Sequence, residues 1–146
     1  MNSVSLIGRL TKDPELKYIP GSGTAVANFT LAVDKGLSKS KKQELEQQGK
    51  PTADFIRIVV WGKQAENCAN YLAKGRLIAV NGSIRTSTSK DDSGKTNYYT
   101  DVNAYRVEFL EWGNDQKNNS SSKNKSNDDI DPDDFKSVEE DDDIPF

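Results

Sequence analysis

Beyond Gly113 the 146-residue chain carries only five apolar side chains, Ile130, Phe135, Val138, Ile144 and Phe146, set among Asn, Ser, Lys, Asp and Glu. A segment of that composition cannot bury enough surface to offset the entropy of ordering it. Whatever folds must therefore be built from residues 1–112, leaving 113–140 as a disordered polar linker and 141–146 as a separate acidic and apolar tip. A hydrophobic fraction of 34%, low for a chain folded throughout, agrees. The charge divides at the same place. Residues 1–113 hold 16 Lys/Arg against 12 Asp/Glu, and the remainder 4 against 11. The overall charge of −3 thus averages a basic body with an acidic tail, and nucleic acid stays open as a ligand.

The chain has one cysteine, Cys68, and no histidine. That removes a disulfide framework, His-based zinc sites and the usual general base. Met1 to Leu10 lacks a charged segment followed by a long apolar one, and no apolar stretch approaches the length of a bilayer span. The expectation is a soluble cytoplasmic protein.

Within the first 112 residues the hydrophobic period is mostly two. Val4, Leu6 and Leu10 alternate in a strand that stops before Pro14. Pro20-Gly21-Ser22-Gly23 is a turn signal, and Ala25, Ala27, Phe29, Leu31 and Val33 then alternate with Asn28 and Thr30 on the other face. Asp34 to Pro51 reads as a long mobile loop, in which Lys41 to Gln48 has only transient helical potential. Asp54 to Trp61 is the strongest strand, with Ile56, Ile58 and Val60 on one face and Phe55, Arg57, Val59 and Trp61 on the other. Ala65, Cys68, Ala69 and Leu72 form a helical stripe over Gln64 to Lys74, and Gly75 stands where a left-handed cap is wanted. Arg76 to Arg85 and Tyr98 to Leu110, the latter bulged, close the domain around a hairpin tip at Asp91-Asp92-Ser93-Gly94. Three strands, a helix and two strands is the element order of the all-β, five-stranded antiparallel OB-fold barrel.

Phe55, Arg57 and Trp61 put two rings and a cation in line along one pleat, where unpaired bases can stack while the guanidinium holds phosphate. The rival view is that one ring belongs to the core; against it, Ile56, Ile58 and Val60 already supply a complete core set. Arg9, Lys63, Lys74, Arg76, Arg85 and Lys90 fall at strand ends and turns, where a groove would gather them for phosphates, and the loop from Lys35 to Lys50 offers a flexible clamp. Tyr98 and Tyr99 are adjacent and point to opposite faces, one to core or interface and one as a base platform; Tyr98 joins the candidate set. In the tip, Asp141, Asp142 and Asp143 precede Ile144, Pro145 and Phe146, whose ring lies beside the terminal carboxylate. That end suits an apolar pocket rimmed by Arg or Lys on a partner protein. Catalytic patterns are missing: Asp91 and Asp92 are turn residues, Cys68 is a core residue, and no glycine-rich phosphate loop or calcium loop is present. No cofactor or metal is expected.

The segments Leu6-Ile7-Gly8-Arg9-Leu10-Thr11-Lys12-Asp13-Pro14-Glu15-Leu16, Ala27 to Ala32, Trp61 to Glu66 and Tyr71 to Gly75, with the tip Asp141 to Phe146, closely resemble bacterial and phage single-stranded DNA-binding proteins. The resemblance covers nearly all of residues 1–112 and the extreme C-terminus. It implies an OB-fold assembling as a homotetramer that wraps DNA, in the cytoplasm at the nucleoid or in that of a phage host. It also implies aromatic stacking and a C-terminal peptide bound by replication, recombination and repair enzymes. Phe55 and Trp61 match stacking positions, and Arg57, Lys63, Lys74 and Arg85 match basic positions near the DNA path. Leu37 and Ser89 depart from it, standing where relatives often carry further aromatics. The rival classes are an OB-fold RNA binder, a nuclease on the same barrel and a pure interaction adaptor. The Ile-Pro-Phe tip, the lack of clustered metal or acid-base residues, and the outward pair Phe55 and Trp61 weigh against them in turn.

Overall fold

In the computed structural model, which describes residues 1–111, the alternating segments form six strands. They are β1 (Val4–Leu10), β2 (Glu15–Tyr18), β3 (Ala25–Asp34), β4 (Ala53–Trp61), β5 (Leu77–Lys90) and β6 (Thr96–Phe109). Helix α1 (Lys39–Gln47) joins β3 to β4, and α2 (Lys63–Tyr71) joins β4 to β5. Neighbours run β1-β5-β6-β4-β3, and a further β1–β3 pairing closes the ring, with β2 laid along the first half of β3. All pairings are antiparallel except β4 with β6. This is the expected all-β OB-type barrel, with the expected sequence of three strands, helix and two strands preserved inside it.

Two short elements are additions to that order. Strand β2 has four residues and turns only Leu16 toward the core; its ladder to Ala25–Asn28 holds it, a tertiary cause that no periodicity in four residues can announce. Helix α1 occupies the stretch expected to be loop and buries no residue. Its two caps hold it. Ser38 accepts from the Lys41 amide, while the Lys50 and Gly49 amides turn back onto the Leu45 and Glu46 carbonyls through Gly49 at φ 67°. Ion pairs from Lys42 to Asp34 at 2.6 Å and from Lys35 to Asp54 at 3.4 Å tie the loop to the ends of β3 and β4.

The core is the inward set of the strands, Leu10, Phe29, Leu31, Ile58, Val60, Ile78, Val80 and Val102 among others, joined by Ala65, Cys68 and Leu72 of the helical stripe. Helix α2 stops earlier than expected, because Leu72 adopts an extended backbone to bury its side chain. Gly75 does have positive φ, but it serves the turn into β5, where its amide donates to the Leu10 carbonyl.

Two glycines let the ring close. A Cβ on Gly8 would meet the Ala32 carbonyl where β1 crosses to β3, and one on Gly82 would meet the Asn103 carbonyl. The second lies at the bulge, where Asn81 opposes Arg106 but Gly82 opposes Ala104, leaving Tyr105 as the extra residue of β6. Beyond the parallel pairing, Gln64 of α2 replaces a strand for β6: its amide donates to the Tyr105 carbonyl and accepts from the Val107 amide, both at 2.8 Å.

Candidate nucleic-acid interface

The face of β4 that the core leaves outside carries the candidate row. Ile58 and Val60 are fully buried, and on the alternate positions Phe55 is 57% and Trp61 47% exposed, with Arg57 exposed between them. Neighbouring strands extend the row into a surface. On one side β3 sets Val26 opposite Trp61, Asn28 opposite Val59, Thr30 opposite Arg57 and Ala32 opposite Phe55. On the other, β6 sets Asn103 beside Val59, and β5 sets Ser83 beside Asn103 and Arg85 beside Asp101. Rings, cations and small polar groups therefore share one outward sheet face.

Two crevices flank β4 on this face. One, of about 360 Å³, runs from Trp61 and Val59 past Asn103 and Asp101 to Arg85 and Ser87. The other, of about 410 Å³, lies between Arg57, Thr30 and Asn28 and the β1–β2 segment, where Lys12 and Lys17 stand. Asp101 neighbours both arginines in different ways: its carboxylate is 3.7 Å from Arg57 Nε, and its backbone is the ladder partner of Arg85. An ion pair that long on a side chain as exposed as Arg57 adds little stability. It orients Arg57 and leaves the terminal nitrogens without a partner among the described residues. The side-chain oxygen of Asn103 is buried without a hydrogen-bond partner among the described residues. An orphaned acceptor of that kind costs about 1–3 kcal/mol, a reason to look for what satisfies it.

The other candidates divide. Lys63 opens α2 two residues after Trp61, its ammonium 3.4 Å from Glu66 and otherwise in solvent. Lys74 is exposed beside the β1–β2 turn, its amide accepted by Asp13 at 2.8 Å, so it borders the second crevice. Arg9 is committed elsewhere. Its guanidinium forks onto Glu111 at 2.8 and 2.9 Å and donates to the Gly75 carbonyl. The hydrogen bond from Arg9 and its charge hold the Glu111 carboxyl below its ordinary value, with Arg76 adding a smaller attraction. Arg9 and Arg76 thus gather around Glu111 instead of lining the Trp61 crevice. Tyr98 and Tyr99, alternatives on the sequence, lie on opposite faces of the β5–β6 hairpin as expected of adjacent strand residues. Tyr98 pairs with Thr88 on the face of the hairpin continuous with Ile84 and Val102, whereas Tyr99, opposite Ser87, shares the face of Arg85 and Asp101. Lys90 pairs with Thr96 near the hairpin tip, and Ser89 is exposed beside it. Leu37 is half-buried just ahead of α1. Burial pushes the Cys68 thiol up to about 11, as befits a core residue.

Asp101 and Asn103 did not emerge from the sequence as site residues, and Tyr99 emerged only as the alternative to Tyr98. A signal for them was present: Val102 and Ala104 are the inward positions of β6, which makes their neighbours outward. The tip Asp141 to Phe146 and the linker 113–140 lie outside the described residues. Among the described residues no helix is long and apolar enough to cross a membrane.

A closed OB-type barrel whose outward face aligns rings with guanidinium groups defines a binding protein for an extended ligand with flat, stackable groups and negative charge. Residues 1–110 match the Single-strand binding protein family. The chain is 50% identical to single-stranded DNA-binding protein 3 of Clostridium acetobutylicum, over the full length of both chains. It is 54% identical to the single-stranded DNA-binding protein of Clostridium tetani over 85% of this chain and 80% of that one, and 56% identical to single-stranded DNA-binding protein 2 of Clostridium acetobutylicum over 79% and 80%. The chain belongs to the single-strand binding protein family, a family described by binding and not by catalysis.

Proposed function

We propose that this protein binds single-stranded DNA without sequence preference and catalyses no reaction. The observation that carries this reading is the outward row of β4, where Phe55, Arg57 and Trp61 stand exposed although the inward row already completes the core. Bases stack on the two rings, Arg57 and Arg85 meet phosphates, and Lys63 and Lys74 extend the basic track. The relatives named for single-stranded DNA binding support the same ligand. Residues 1–112 form the DNA-binding and oligomerising domain, four copies assembling into a tetramer in the cytoplasm. Residues 113–140 act as the linker, and Asp141 to Phe146 recruit replication, recombination and repair proteins.

The test is a titration of full-length protein with poly-thymidine, following emission of Trp61 and Trp112, repeated with duplex DNA, with RNA and at two salt concentrations. Quenching by the DNA single strand alone, weakening with salt, is expected. No quenching together with no anisotropy change on a labelled strand would overturn the reading, and equal binding of RNA would redirect it. Light scattering that gives a monomer would remove the tetramer.

A further inference from the structure

We propose, resting on the single-strand reading above, that the crevice between Trp61 and Arg85 seats one base, and that Asn103 hydrogen-bonds its edge in either polarity. The crevice holds the three elements such a seat needs. Trp61 supplies a half-exposed ring on one wall, Arg85 supplies a cation with no ion pair among the described residues, and Asn103 lies on the floor between them. A base stacked on the ring points its edge toward β6, while its phosphate stays on the side of Arg85.

The amide of Asn103 is unusual in being uncommitted. Its oxygen is buried with no donor, and its nitrogen has no acceptor among the described residues. Turning the group by 180° about its last torsion therefore forfeits no hydrogen bond, and it presents either the NH₂ donor or the carbonyl acceptor to the crevice. At the exocyclic C4 group, where the single exposed amide atom makes its contact, cytosine offers an amino donor and uracil a carbonyl acceptor. An amide free to reverse serves both equally well, and so reads a base edge without selecting a sequence. A tightly partnered asparagine would have selected one. Asp101, an acceptor only, lies on the wall of the same crevice but is occupied by Arg57.

The test fixes the polarity at residue 103. Anisotropy titrations of full-length wild type, Asn103→Asp and Asn103→Val with labelled oligo-deoxycytidine and oligo-deoxyuridine of equal length give the ratio of the two affinities for each protein. These strands differ only in the hydrogen-bonding edge at C4 and N3. Asn103→Asp, locked as an acceptor, is expected to shift the ratio at least fivefold toward deoxycytidine relative to wild type, the pairing that a carboxylate makes with the cytosine amino group. Asn103→Val is expected to weaken both strands by a similar factor of about five and leave the ratio near that of wild type. Thermal unfolding verifies that each variant folds; valine suits a strand position. A ratio unchanged in Asn103→Asp, or affinities within twofold of wild type in Asn103→Val, overturns the seat while leaving single-strand binding intact. Failure of the wild-type protein to bind either strand would instead overturn the reading on which the proposal rests.

Discussion

Replacing Trp61 with alanine isolates stacking from charge. An aromatic side chain presents about 150–250 Å² of surface, and Trp61 is 47% exposed, so roughly 100 Å² of ring is open to a ligand. A base laid over most of that area gains about 1.5–2.5 kcal/mol at about 25 cal/mol per Å², within the range of about 1–3 kcal/mol seen for base stacking on aromatics. The variant should therefore bind a labelled oligo-thymidine about ten- to a hundredfold more weakly. The salt slope should stay as it was, because no phosphate contact is lost. Folding should survive: Ile58 and Val60 face away from Trp61, and the main structural consequence is exposure of Val26, its partner across the ladder, at about 1 kcal/mol. Anisotropy titrations at four salt concentrations measure affinity and slope together. A loss below twofold, or a slope that falls with the affinity, would refute the claim that this ring is a base platform.

Arg85→Ala should behave in the opposite way, lowering the slope of log affinity against log salt by about 0.7; an unchanged slope would remove Arg85 from the phosphate track. Gly8→Ala places a methyl group against the Ala32 carbonyl at the barrel closure, and should cost about 1–3 kcal/mol in thermal unfolding, whereas equal stability would mean that β1 and β3 approach less closely. Glu111 has a folded-state value below its ordinary one near 4.5 because Arg9 hydrogen-bonds it. Its contribution to stability is complete above that ordinary value and lost as pH falls through the depressed one. Glu111→Gln should therefore flatten the acid side of the stability profile, and a profile identical to wild type would mean that the pair contributes nothing.

Much of the barrel was legible because one face of each strand must be apolar. Ala25 to Val33 and Asp54 to Trp61 announced their inward sets through a period of two, and the structure buries Ala27, Phe29, Leu31, Ile58 and Val60 accordingly. What escaped were elements whose cause is not periodicity. Strand β2 exists because β3 offers it an edge, and α1 exists because Ser38 and Gly49 cap nine residues with no buried side chain. The capping signal was in the sequence, but a polar stretch without an apolar stripe reads as loop by composition.

The site was legible only along single strands. Phe55, Arg57 and Trp61 share β4, so their alternation alone set them on one face. Which residues of β5 and β6 join them depends on register, and a one-residue bulge reverses the answer for everything on one side of it. Tyr105 is that extra residue. From Ala104 back to Tyr99 the strand keeps the parity that turns Asn103, Asp101 and Tyr99 outward beside Arg85; had β6 paired without the bulge from Phe109 onward, Tyr98 would have faced that way. Gly82 is what allows the bulge to sit there, since a side chain at that position would strike the Asn103 carbonyl. The chemistry offered to a base in the Trp61 crevice is therefore decided by a glycine that never touches it, and Gly82→Ala should disturb the binding face as well as the fold.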